Sequence, residues 1–513
     1  MTFFESLLVL LLVAIVLLQI SRRLSLPYPA LLAIAGLVVA LLPGSPTISI
    51  EPNTALALFM APAVVDAAYD FPIGAARRFR RQLVVFAVFV VVATTVLVAW
   101  IGWKFLGLPV AAAVALGAIV APPDAAAATA VLGAVAIPRS SNAILKGESL
   151  FNDATALLLF GAALAVLSHG ALTLSVGLRL ALAVPGGLLF GVGSALVFRP
   201  INRLVKNTLG GNLLQFVVAF LIWIVAEHLR ISAVLGTIAF AMTIARTADL
   251  NDGTRMRVQS FAVWSAVVFA LNVFAFLLMG LQGRAIIGRM HAAHLKESLA
   301  FAGMVVLAVV IARLVIVISF NRLNAWWEVL HHRPEPIPWR QAVLEGWSGM
   351  RGFVTLATAV ALPVSFPQRD LAVLTAFCVV LATLVLQGLT LTPLIRLLKL
   401  DQGDALQREI ANGRHQLAEA ALAALGNETD EDVENLRYSY VIQRDAKNDL
   451  AGTCRSQRRR ELGLAAILAQ RQELERMRVN DTVGSDTYLL LQEELDWNEL
   501  TLLCDDERRI EDS

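Results

Sequence analysis

Long apolar runs recur along this chain from Phe3 to Leu398, and no other feature restricts its fold as strongly. They occupy residues 3–20, 29–42, 54–69, 83–106, 110–136, 144–167, 174–197, 213–228, 232–244, 261–282, 298–320, 342–362 and 371–397. Each is at or near the length of helix that crosses about 30 Å of hydrocarbon, where helices and closed barrels alone satisfy every backbone polar group. An all-α polytopic membrane protein of about 13 transmembrane helices is therefore predicted; the runs near Pro29 and Ser232 are the shortest. Composition agrees, since 57% of the 513 residues are apolar and 16% are charged, against about 25% charged in soluble domains. A soluble enzyme and a disordered chain are excluded on that ground.

The net charge of +2 hides a division. Residues 401–513 hold 25 of the 40 acids but 14 of the 42 bases. Before them, bases gather in every second connection: Arg22 and Arg23; Arg77, Arg78, Arg80 and Arg81; Arg139; Arg199, Arg203 and Lys206; Arg255 and Arg257; Arg333 and Arg340. The connections around Ser45, Leu108, Gly170 and Pro367 are nearly bare, and the segment 284–296 is the exception. Bases scattered this way form no single face for nucleic acid. They do mark cytoplasmic loops, so an odd number of spans puts the N-terminus outside and the C-terminal tail in the cytoplasm. The first run reads as a span and not a signal peptide, because Glu5 stands where a basic segment belongs and the Arg pair follows the apolar stretch.

After Leu400 the pattern changes to amphipathic helix, with Leu and Ala at helical spacing among Glu and Arg over 405–425, 431–450, 461–479 and 486–503. The boundary divides a transmembrane domain, 1–400, from a cytosolic α-helical domain, 401–513, read as a regulatory or assembly module without chemistry. Cys378, Cys454 and Cys504 offer neither a disulfide framework nor metal-ligand spacing.

Ionisable side chains inside apolar spans are costly and so point to function. Asp66, Asp124, Glu148, Asp153, Glu227, Arg313 and Arg351 stand in such places. The densest cluster is Gly147-Glu148-Ser149-Leu150-Phe151-Asn152-Asp153. Helical spacing pairs Ser149 with Asp153 on one stripe and Glu148 with Asn152 on the next. Oxygen donors with a carboxylate on one stripe suit a hard monovalent cation, and the same carboxylate can hold a proton instead.

Two spans are interrupted. In Ala121-Pro122-Pro123-Asp124 the prolines remove backbone donors and clash with the preceding turn, so the 110–136 run must break into two half-helices. Irregular backbone at membrane depth lines cavities, and its loose polar groups can serve an ion. The 342–362 run is interrupted at Gly346-Trp347-Ser348-Gly349-Met350-Arg351-Gly352. These are the fifth and twelfth runs, and a shift of seven spans reverses direction in the membrane, as inverted repeats require. Arg313 needs a buried acid; Glu148 is the candidate partner, with Arg351 as its competitor. Asp66 is a possible further ligand or gate acid.

These residues resemble a known family. Ala121 to Asp124, Leu145-Lys-Gly-Glu-Ser-Leu-Phe-Asn-Asp153 and Trp347-Ser-Gly-Met-Arg-Gly352 look like the broken-helix acid, the ion-site helix and the glycine-arginine signature of monovalent cation/proton antiporters, specifically the sodium/proton exchangers of the cation/proton antiporter-1 type in their bacterial form. The match runs from Phe3 to about Leu398. The resemblance implies two crossing broken helices and a homodimer in the plasma membrane. It implies Asp153 as the carboxylate that binds cation and proton in turn, with Asn152 where electrogenic relatives carry a second aspartate. Asp124 and the Pro123 backbone fall at the crossing, Ser149 is a ligand, and Glu148 is bridged to Arg313. Asp66 falls near the cytoplasmic funnel, and Arg351 is the broken-helix arginine. Where relatives commonly have Thr-Asp-Pro, this chain has Pro123-Asp124-Ala125, so a threonine ligand is missing.

The function expected is exchange of one sodium, lithium or potassium ion for one proton by alternating access, without ATP or a cofactor, and with Na+ held at Asp153, Asp124 and Ser149. Electroneutrality follows from the uncharged Asn152. The alternatives are a potassium/proton exchanger with the same site, a cation channel, and a transport-inactive membrane sensor.

Overall fold

The computed structural model describes residues 3–24, 27–41, 51–124, 127–128, 137–170, 173–205, 208–247, 254–288, 292–330, 338–401, 403–426, 430–445, 450–480, 482 and 485–503. Expected features at Ser45, Ala125, Lys206, Arg333 and most of the second half of the 110–136 run lie outside them. All regular structure among the described residues is helical. The chain divides into two compact units, Met1–Asp401 and Gln402–Asp512.

In the first unit the helices are α1 (Phe3–Leu24), α2 (Tyr28–Leu41), α3 (Pro52–Tyr69), α4 (Ile73–Arg78), α5 (Arg80–Leu106), α6 (Val110–Val120), α7 (Arg139–His169), α8 (Leu174–Leu204) and α9 (Leu209–His228). They continue as α10 (Ala233–Thr247), α11 (Thr254–Gly288), α12 (Ala292–Leu330), α13 (Trp339–Trp347), α14 (Phe353–Val360) and α15 (Arg369–Leu397). Seven described helices have the length and hydropathy to cross a membrane alone, within α5, α7, α8, α9, α11, α12 and α15. Shorter apolar helices lie at Leu11–Ser21, Tyr28–Leu41, Val110–Val120 and Ala233–Thr247.

Local chemistry explains several ends. Gly107 and Gly170 adopt φ of 62° and 77°, the left-handed conformation that closes α5 and α7 and costs little without a Cβ. Thr208 caps α9 by accepting from the Gly211 N–H at 3.2 Å. Within α5, Val85–Val90 is wound as a π-helix. Its Phe86 and Val90 pack with Ile144 of α7, Val317 of α12 and Ala342 of α13.

Two apolar clusters surround α14. One joins Leu32, Leu116, Phe276, Val305 and Phe377 from α2, α6, α11, α12 and α15, together with Leu356. The other joins Val64, Ala154, Trp223 and Ile238 from α3, α7, α9 and α10, together with Val354. The short helix α14 is thus held on two faces, which fixes the segment before it.

Without a strong hydrophobic drive between helices in lipid, close backbone approach supplies packing energy. The α2–α11 pair uses it fully. A Cβ on Gly280 would overlap the Ala33 carbonyl and lie 2.8 Å from Leu37 N, and one on Gly36 would overlap the Leu277 carbonyl.

The second unit contains α16 (Gly403–Leu425), α17 (Glu431–Asp445), α18 (Leu450–Val479) and α19 (Ser485–Leu502). Here α18 packs on α19 through Gly463 against Leu502, and Arg471 pairs with Asp496 at 2.5 Å and also with Glu499. These pairs are solvent-exposed and contribute on the order of 0–1 kcal/mol each.

Gly280→Val is expected to push α2 from α11 and destabilise the first unit by about 1–3 kcal/mol, read as a lower midpoint in a thermal unfolding scan in detergent. A midpoint equal to that of the unsubstituted protein would contradict the close approach.

Candidate functional site

The two interruptions meet. After α6 ends at Val120 the chain is non-helical through Asp124, and after α13 ends at Trp347 it is non-helical through Gly352. Asp124 N–H donates to the Met350 carbonyl at 2.6 Å, so one break is hydrogen-bonded directly to the other.

Each break also places a charged side chain on the other's helix end. The Arg351 guanidinium, 0% exposed, donates to Val120 O at 3.2 Å, to Ala121 O at 3.4 Å and to Gly349 O. It therefore satisfies carbonyls at the C-terminal end of α6, where the helix dipole is negative. In the other direction, the Asp124 carboxylate packs on Gly352 so closely that a Cβ there would coincide with Oδ2. Gly352 is the N-cap of α14, whose exposed N–H groups and positive dipole end favour an anion. The Arg351 N–H in turn donates to Thr383 Oγ1 at 3.0 Å, which fastens the break to α15.

Helix α7 carries the Glu148 to Asp153 cluster to this place. Asn152 is fully buried and its Nδ2 donates to Pro123 O at 2.8 Å, joining α7 to the first break, while its Oδ1 has no partner. Asp153, 8% exposed, receives no hydrogen bond among the described residues, and the charge acting on it is that of Asp124. Ser149 is partly exposed one turn before Asp153. The arrangement thus offers a carboxylate without a donor, an amide oxygen without a donor, and carbonyl oxygens of a proline-interrupted backbone. Oxygens of this kind suit a hard cation.

One turn below, Glu148 accepts from Arg313 Nη1 at 2.5 Å and Nη2 at 2.8 Å, with Glu148 1% and Arg313 0% exposed. Arg313 Nη2 also reaches Glu345 O at 3.1 Å, so this one side chain of α12 ties α7 to α13. Gly349 makes room for it, because a Cβ there would overlap the Arg313 Cδ and Nε. Between the two acids-and-bases partners left open by the sequence, Glu148 bonds to Arg313, and Arg351 bonds to backbone carbonyls.

Asp66 lies on α3, partly exposed, beside Val65, which packs with Leu150 and Ala154 of α7 and Val354 of α14. Helix α3 reaches the crossing through Phe59, whose ring lies 4.7 Å from that of Phe353 at an interplanar angle of 60°. Glu227 accepts from Trp223 Nε1 at 2.9 Å near the end of α9. Sequence reasoning missed Glu345, which is 2% exposed on α13. Its signal was present, an acid inside the 342–362 run, the same criterion that singled out Glu148.

The family described as sodium/hydrogen exchanger, transmembrane, matches residues 7–397. An uncharacterised sodium/proton exchanger of Mycobacterium tuberculosis is 28% identical over 505 residues, covering 93% of this chain and 92% of its own. A sodium, potassium, lithium and rubidium/proton antiporter of Bacillus pumilus is 28% identical, covering 93% of this chain and 74% of its own. Among solved structures, the sodium proton antiporter MjNhaP1 from Methanocaldococcus jannaschii matches with a TM-score of 0.57 at 16% identity, over 78% of this chain and 100% of that one. At that identity the likeness is one of fold.

Removing one member of a buried ion pair strands the other charge, at a cost of about 3–5 kcal/mol. Arg313→Ala and Glu148→Ala are each expected to lower the thermal midpoint strongly, and the double variant to lose less than the two single losses added. Strict additivity in that cycle would show that the two side chains do not interact. Gly352→Ala is expected to displace the Asp124 carboxylate and destabilise by about 1–3 kcal/mol, checked in the same assay.

Proposed function

The chain belongs to the sodium/hydrogen exchanger family, and from that membership we propose that it is a secondary antiporter in which one monovalent cation and one proton compete for Asp153. The observation that carries this reading is the nearly buried Asp153 carboxylate without a hydrogen-bond donor among the described residues, beside the Asn152–Pro123 bond and under the charge of Asp124. A carboxylate so placed needs a cation or a proton to offset its charge in an apolar surrounding. Occupancy by one excludes the other, and this exclusion couples the two fluxes without ATP when the site opens to each side in turn.

Asn152 brings no second charge, so the exchange is one for one and electroneutral. Asp124, Ser149 and the Pro123 carbonyl complete the ligand set, while Asp66 serves the approach. The Glu148–Arg313 pair holds α7 against α12 and α13 and carries no transported ion. The transported cation is sodium or lithium; potassium is the second reading, favoured by the Bacillus pumilus antiporter's named range of ions and by proline at position 123, which supplies a carbonyl but no side-chain oxygen. About thirteen spans in two inverted repeats, a homodimer in the plasma membrane, an external N-terminus and a cytosolic regulatory tail from residue 401 complete the proposal.

In proteoliposomes with an imposed pH gradient, sodium or lithium is expected to dissipate the gradient with the wild type and not with Asp153→Asn, whatever the membrane voltage. Dissipation by potassium alone would select the second reading. Exchange that persists in Asp153→Asn would remove Asp153 from the mechanism, and a voltage-shifted reversal point would overturn the one-for-one ratio. Absence of all exchange, retained after truncation near Leu400, would favour a sensor.

A further inference from the structure

Glu345 has no part in the exchange described above, yet its surroundings are unusual for a carboxyl. It is 2% exposed in the last turn before the second break, and its Oε1 has no hydrogen-bond partner among the described residues. Four helices pack on α13, and the one that touches it through Phe86 and Val90, α5, carries no acid or base between Arg81 and Lys104. From α12 Glu345 faces Arg313, and from α7 it faces Glu148 and the Ser141 hydroxyl, which is itself buried without a hydrogen bond of standard geometry. The fourth, α15, carries no acid or base between Asp370 and Arg396.

The local charges do not allow two carboxylates. Arg313 commits both terminal nitrogens to Glu148, and its Nη2 is shared with the Glu345 main-chain carbonyl. Arg351, the other cation nearby, gives its donors to the carbonyls of Val120, Ala121 and Gly349. An ionised Glu345 would therefore be a buried charge without a cation of its own, a costly arrangement in an apolar interior. Two donors remain unused within this cluster among the described residues, the Arg313 Nε–H and the Ser141 hydroxyl. If the Glu345 proton leaves to water, the new carboxylate competes for Arg313, and the bidentate hold of Glu148 weakens.

We propose that Glu345 is a second proton-binding carboxyl of this chain, set against the Glu148–Arg313 ion pair, and that loss of its proton draws Arg313 off Glu148 and closes exchange on the alkaline side. The link to exchange rests on the antiport reading; the proton site itself does not. Since Arg313 ties α7 to α13, its displacement loosens the two elements that bring Asp153 and the second break together. The proton moves between Glu345 and water only, so the transported stoichiometry is unchanged.

The test compares full-length wild type with Glu345→Gln, a neutral carboxamide of the same shape. Sodium-driven exchange in proteoliposomes is followed across pH, and the alkaline limb of the variant is expected to extend by on the order of one pH unit. In parallel, infrared difference spectra between acid and alkaline buffer, recorded in detergent without a cation gradient, are expected to show a neutral-carboxyl band that the variant lacks. Glu345→Asp, which keeps a titrating group, should retain that band, whereas a merely structural role would leave the spectra of all three alike. An unchanged alkaline limb, or a band that Glu345→Gln leaves intact, overturns the proposal. A wild type that exchanges no cation would refute the antiport reading, and the infrared band would still decide whether Glu345 binds the proton.

Discussion

Backbone that leaves the helix inside a bilayer must find partners within the protein, because lipid supplies none. Here two such segments lie against each other, and the solution is reciprocal. The end of α6 has surplus carbonyls and receives Arg351 from the other segment. The start of α14 has surplus N–H groups and receives the Asp124 carboxylate. The main-chain bond from Asp124 to Met350 fixes their register. Neither break could be buried alone, so the helices that bring them together are bound to this one crossing. Two glycines of the second break serve it too, since side chains at 349 and 352 would occupy the space of Arg313 and Asp124.

A second layer surrounds the crossing and acts through α7. Asn152 joins that helix to Pro123, and Glu148, one turn away, joins it through Arg313 to α12 and α13. The helix that carries Asp153 is thus anchored to both breaks by two side chains that precede that residue. Asp153 itself takes no donor among the described residues. Rigid neighbours around an uncommitted carboxylate are a sound basis for a site that must release what it binds, since strong fixed bonds to the carboxylate would compete with any ligand.

Much of this arrangement was legible in the chain. Hydropathy and length located the helices, because burial of about 20 apolar residues in lipid is a local property of sequence. The breaks were legible too: Pro122-Pro123 cannot continue a helix whatever surrounds it, and the glycines from Gly346 to Gly352 weaken one, although Gly346 and Trp347 still belong to α13. Partners across the fold were not. Glu148 stood open to two arginines, and nothing in the spacing said that Arg351 would turn to the carbonyls of Val120 and Ala121. Glu345 met the same criterion as Glu148, an acid inside an apolar run, but the partners around it emerge only when α13 is laid against Arg313. The π-helical turn at Val85–Val90 left no mark in an unbroken run of Val and Phe.

The proline pair at the first break has one more consequence. Pro122 and Pro123 have no N–H, and the N–H of Asp124 is spent on Met350. From Pro122 to Asp124 the backbone therefore has accepting oxygens and no available hydrogens. Those main-chain oxygens can serve a cation or a donor but not an anion, and Arg351 and Asn152 already draw on those of Ala121 and Pro123. Discrimination by sign of charge is built into the chain's covalent structure before any side chain discriminates by size.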